Sequence, residues 1–140
     1  MAPLPPIAQL LPHRPPMLLV DEVLEHQGGT VVCKTTIRDD MLFVKNGEVS
    51  TLLALELFAQ SAASLVALGA GPGGASLVTG AFLGTRKVEL HAPSFKVGDE
   101  LRIHCRQTLS VGVTTQIACQ LFRGEELVAE GSINVMAGTP

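Results

Sequence analysis

The 140-residue sequence has no tryptophan and no tyrosine, and its aromatic content is five phenylalanines. Stacking platforms for single-stranded nucleic acid are therefore not expected. Charge is scarce as well. Asp, Glu, Lys and Arg make up 16% of the chain, the formal net charge is −3, and no run of basic residues occurs. A phosphate backbone has no counterpart here, so no nucleic-acid partner is expected. Cysteine is limited to Cys33, Cys105 and Cys119, an odd number without CxxC spacing. That pattern builds no disulfide framework and reads as reduced, structural thiols in a cytoplasmic protein. The four histidines, His13, His26, His91 and His104, lack metal-ligand spacing, so no metal is expected. There is no nucleophile elbow and no phosphate loop, and no redox cofactor is implied.

Met1–Leu10 has no basic leader and is broken by Pro3, Pro5 and Pro6, so it does not read as a secretory signal. Thr51 to Gly69 is almost wholly apolar, but Glu56 and Gln60 lie in its middle. A carboxylate at a bilayer centre is costly, and the run is barely long enough to span. A helix enclosed by protein is expected instead of a membrane span.

What is present is apolar residues, at 46% of the sequence. That is high for one small domain and points to extra surface covered in a homo-oligomer. Along the chain, an irregular proline-rich stretch (Leu10–Pro16) leads into strands expected over 17–26 and 30–37, split by Gly28-Gly29. A loop over 39–48 contains the turn signal Asn46-Gly47. Ser50 or Thr51 caps a helix that runs to about 67 or 68, with Gly69 as its stop. After a flexible Gly71–Gly74 connection, four strands are expected over 77–91, 100–109, 113–122 and 127–135. Strand order and short turns favour antiparallel pairing around one enclosed helix: an α+β hotdog fold in a single domain covering 1–140.

The helix carries the clearest chemical signal. Its only ionisable residue is Glu56, and Gln60, four residues on, lies on the same face about 6 Å along the axis. A carboxyl group taken out of water needs a partner or a proton, and desolvation suits such a group to proton transfer near neutral pH. Gly80 and Gly84 within an expected strand signal a bulge or a close backbone approach to a ligand. His104 alternates with Arg102 and Arg106 and reads as part of a solvated face.

These residues carry a resemblance. Leu11-Pro12-His13-Arg14 followed by Met17-Leu18-Leu19-Val20-Asp21 resembles the N-terminal signature of FabZ-type 3-hydroxyacyl-acyl-carrier-protein dehydratases. Glu56-Leu57-Phe58-Ala59-Gln60 is similar to their helix motif, E-x-x-A-Q. The sequence is most similar to the aryl-polyene, ApeP-type branch, through Gly80–Arg86 and Phe95-x-x-Gly98-Asp99-x-Leu101. The likeness runs from about residue 10 to 135. It implies a homodimeric hotdog protein acting on acyl chains held through phosphopantetheine on acyl carrier protein, or on acyl-CoA. The activity implied is reversible dehydration of 3-hydroxyacyl thioesters, with an acyl thioesterase or a non-catalytic acyl-binding subunit as alternatives. The family's loop histidine, in Gly-His-Phe-Pro, is missing: no His lies between Met41 and Glu56. Glu56 matches the family's acid. His13 is the first candidate for its partner, with Asn46 and Glu48 as competitors. Gln60, helix-start N–H groups at Ser50 and Thr51, and strand backbone at Leu83 and Gly84 are expected to bind substrate. Arg86 and Lys87 are expected to dock an acidic carrier, with Arg14 and Lys45 as weaker candidates.

Overall fold

The computed structural model describes residues 4–69, 80–112 and 114–137. A short helix α1 (Ile7–Leu10) precedes β1 (Glu22–Gln27), β2 (Thr30–Thr36), β3 (Glu48–Ser50) and the long helix α2 (Leu53–Gly69). Then come β4 (Gly80–Leu90), β5 (Ser94–Lys96), β6 (Glu100–Val111), β7 (Thr114–Arg123) and β8 (Glu126–Ala137). Six strands form one antiparallel sheet in the order β1-β2-β6-β7-β8-β4, while β3 and β5 pair separately. Helix α2 packs against all six strands of the large sheet. This is the hotdog fold, in the α+β class the patterning indicated.

Alternation along β6 and β7 explains the wrapping. Leu101, Ile103 and Cys105 on β6, with Ile117, Cys119 and Leu121 on β7, are buried, while the residues between them are mostly exposed. They meet Ala54, Leu57, Phe58 and Ala62 of α2, all at 0% exposure. The alanines bring the helix backbone close to the sheet, and each enclosed Leu, Ile or Phe contributes roughly 1.5–3 kcal/mol.

Several elements differ from the sequence expectation. The first strand starts at Glu22 rather than at 17, because the N–H groups of Leu19 and Val20 go to the side chain of Gln60 instead of a strand ladder. Five strands follow α2, not four: β5 and its partner β3 are three residues long, too short to show a period. The Gly71–Gly74 connection lies outside the described residues, as does the expected strand start at 77–79.

The Phe95–Asp99 motif proves to be the end of β5 and the turn that follows it. Asp99 accepts from the Lys96 N–H at 2.9 Å and from Arg123 Nη1 at 3.1 Å, and the Arg123 guanidinium is pushed up chiefly by that bond. Gly84, at φ +146°, sits where the β4–β8 register shifts, so the expected bulge is present. A close approach occurs elsewhere: a Cβ on Gly131 of β8 would stand 2.5 Å from the Lys87 carbonyl oxygen of β4. The three cysteines are free and buried, with Cys105 Sγ 3.6 Å from Cys119 Sγ across β6 and β7. The hydrogen bond with Cys119, then burial, pushes the Cys105 thiol well up; burial does the same to Cys33.

Candidate active site

The N-terminal irregular segment folds over the first two turns of α2. Arg14 Nη1 donates to the carbonyls of Leu11 at 2.8 Å and His13 at 2.7 Å, and the N–H groups of Met17 and Leu18 both reach Arg14 O. This self-bonded turn presents His13 to the helix. His13 Nε2 stands 3.7 Å from Glu56 Oε1, an ion-pair distance longer than a hydrogen bond. The His13 Nδ1 atom is enclosed and has no hydrogen-bond partner among the described residues.

Gln60 lies beneath them at 0% exposure. Its Nε2 donates to Glu56 Oε1 at 3.0 Å and to Met17 O at 2.8 Å, while its Oε1 accepts from Leu19 N at 2.9 Å and Val20 N at 3.2 Å. An amide has two N–H donors and two carbonyl lone pairs, and all are used. The expectation that Gln60 contacts substrate is therefore corrected: protein groups occupy it completely.

Glu56 is not desolvated within one chain. Its side chain is 40% exposed and that of His13 31%. Leu52 is exposed, and Leu55, Ala59, Ala63 and Val66 are partly so. Together with Glu56 these positions recur every three or four residues and form one open stripe along α2. The helix expected to be enclosed all round is thus enclosed except along the stripe that carries its acid.

At the helix start the Thr51 donors are engaged within the protein. Thr51 N–H and Oγ both go to Pro93 O, at 3.3 and 3.4 Å, and Ser50 Oγ accepts from the Leu52 N–H at 3.1 Å. These bonds stitch the helix start to the β3–β5 ribbon, so neither Thr51 group is free for a thioester carbonyl. Asn46 takes a turn conformation at φ +54°, and the Glu48 backbone pairs with Lys45. The side chains of Leu83 and Arg86 lie outside the described residues. Lys87 pairs with Glu89 at 3.1 Å, and Arg14 is committed to its own turn.

A cavity of about 560 Å³ lies on the sheet face turned away from α2. Its floor is the cross-strand row Glu25, Val32, His104, Gln120, Glu130 and Glu89, one residue from each strand. None of the His13–Glu56–Gln60 cluster lines it. His104 is exposed as expected, its ring edge-on to Phe122 with centroids 5.0 Å apart. At one end His91 Nε2 stands 2.9 Å from Glu130 and 3.8 Å from Glu89. Among the described residues this trio alone has three donors grouped closely enough for a metal ion. Sequence spacing hid it, because Glu130 comes from a different strand. Glu89 and Glu130 are directly opposed across β4 and β8, an unfavourable like-charge pair, and Lys87 Nζ offsets it 3.1 Å from Glu89.

Residues 5–139 match the family model described as ApeP dehydratase, ApeP-like. The chain belongs to the ApeP-like dehydratase family. A 3-hydroxyacyl-[acyl-carrier-protein] dehydratase FabZ from Chlamydia muridarum is 30% identical over 135 residues, which is 91% of this chain and 87% of that one. Among solved structures, the dehydratase heterocomplex ApeI:P from Xenorhabdus doucetiae superposes with a TM-score of 0.86. It is 21% identical and covers 98% of this chain and 93% of its own. A hypothetical thioesterase with coenzyme A from Streptococcus pneumoniae gives 0.66 at 14% identity, covering 84% and 85%. The hotdog scaffold thus recurs beyond ApeP-like dehydratases. Among the described residues no helix is long and apolar enough to cross a membrane.

Proposed function

We propose that this ApeP-like chain dehydrates 3-hydroxyacyl thioesters reversibly to trans-2-enoyl thioesters, with His13 and Glu56 as its proton-transfer pair. The observation that carries this reading is the placement of His13 Nε2 3.7 Å from the carboxylate of Glu56 on the open helix stripe. An imidazole and a carboxylate side by side supply the two protonation states that elimination requires. One group takes the C2 proton, the C3–O bond breaks, and the other delivers a proton to the departing hydroxyl, so water leaves. The acyl chain is held on phosphopantetheine of an acyl carrier protein or on CoA, and the protein itself needs no cofactor. Arg86 and Lys87 are the proposed docking groups for an acidic carrier, and the cytoplasm is the proposed compartment.

The assay offers a 3-hydroxyacyl thioester and a saturated acyl thioester separately. Enoyl absorbance from the first is the expected result. Free thiol released from either means hydrolysis, and silence with both means a binding subunit; each of these overturns dehydration.

A second copy of the chain completes the site in this reading. The open stripe is mostly apolar, and covering it dries the carboxylate without disturbing the core. Light scattering at micromolar concentration is expected to give a dimer mass, and a monomer mass would remove the proposed cover.

A further inference from the structure

Resting on the proton-transfer pair proposed above, we infer that Gln60 is a positioning residue that selects which oxygen of Glu56 reacts. Its amide holds Oε1 as an anchor and leaves Oε2 to carry the proton. Three observations support this. First, the amide orientation follows from its surroundings. Leu19 and Val20 present two N–H groups, which only the carbonyl oxygen can accept; Met17 presents a carbonyl, which only the NH₂ can meet. A flipped amide would face donor against donor and acceptor against acceptor. The second NH₂ hydrogen is thereby committed to Glu56 Oε1 at 3.0 Å.

Second, the two carboxylate oxygens are unequal. Oε1 receives the Gln60 hydrogen and lies nearest His13, while Oε2 has no hydrogen-bond or ion-pair partner among the described residues. An oxygen that already accepts a hydrogen bond is the poorer proton acceptor, so exchange runs through Oε2. Third, the same side chain pins Met17, Leu19 and Val20, which follow the turn bearing His13. One buried and fully satisfied group therefore sets both the aim of the acid and the place of the imidazole.

The test compares Gln60→Glu and Gln60→Asn with the unaltered protein, using a 3-hydroxyacyl thioester, and runs Glu56→Gln alongside. Gln60→Glu keeps an oxygen for Leu19 and Val20 but turns the donor to Glu56 into a second carboxyl oxygen. Its kcat is expected to fall about 10²-fold, the scale of a reacting group displaced by an ångström, with KM little changed. A negative charge beside Glu56 disfavours its ionised form, so the limb of the kcat–pH profile governed by Glu56 moves to higher pH. Gln60→Asn keeps the amide but is one methylene too short to span its partners, and kcat falls without that pH displacement. A merely structural Gln60 lowers the melting temperature and leaves kcat and pH profile of the folded fraction unchanged, which overturns the inference. Loss of the fold in both variants overturns it too, by assigning the amide to scaffolding alone. If Glu56→Gln itself keeps full turnover, the proton-transfer reading falls and this inference with it. If Glu56→Gln is inactive while both Gln60 variants behave as unaltered protein, only the positioning role is lost.

Discussion

Glutamine at position 56 is expected to lower turnover of a 3-hydroxyacyl thioester by about 10²–10⁴-fold, the usual contribution of a general acid or base. The substitution keeps the length and planarity of the side chain and removes only its titrating proton. The fold has little reason to respond. Glu56 is two-fifths exposed, and its carbonyl oxygen in the variant still accepts from Gln60 Nε2. The partners of Gln60 in the Met17–Val20 segment are backbone groups, untouched by the change. Initial rates from enoyl absorbance, with the melting temperature measured on the same preparation, check the expectation. Full turnover in a folded variant removes Glu56 from the chemistry.

His13→Ala and His13→Gln are each expected to lose turnover on the same scale, about 10²–10⁴-fold, with near-unchanged melting temperatures. A histidine that stabilised its turn would be hydrogen-bonded to it, and this one is not. Among the described residues its Nδ1 has no hydrogen-bond partner, and its Nε2 meets only Glu56 at 3.7 Å. The turn is held by Arg14, which donates to the backbone carbonyls of Leu11 and of residue 13 itself. Both acceptors survive either substitution. Alanine removes the ring and glutamine keeps a polar group that does not titrate, so equal loss in both assigns the effect to proton exchange. A lowered melting temperature with turnover retained in the folded fraction is the opposite result. It sends the search for a partner of Glu56 to Asn46 and Glu48.

The helix, its lone acid and the antiparallel meander after it were legible in the sequence because each rests on a local signal. A single carboxylate in an apolar run announces itself, and alternation over Leu101, Ile103 and Cys105 is long enough to read. The FabZ-type resemblance added His13, which no spacing connects to Glu56. What stayed hidden depends on partners supplied by other segments. Gln60 shares a helix face with Glu56, and that suggested contact with substrate. Apart from Glu56, its ligands are backbone groups of residues that read as a strand. The N–H of Thr51 seemed free at a helix start, but Pro93 takes it. The Glu89–His91–Glu130 trio needs the β4–β8 register to assemble, and no sequence pattern states a register.

The sulfur pair between β6 and β7 gives the chain an internal clock. Cys33, Cys105 and Cys119 lie at 0–1% exposure under α2, and the Cys33 and Cys105 thiols are pushed up, away from the reactive thiolate. An alkylating reagent therefore meets them only when the core around them opens. Each modification event records one such opening, in a protein with no tryptophan to report it by fluorescence.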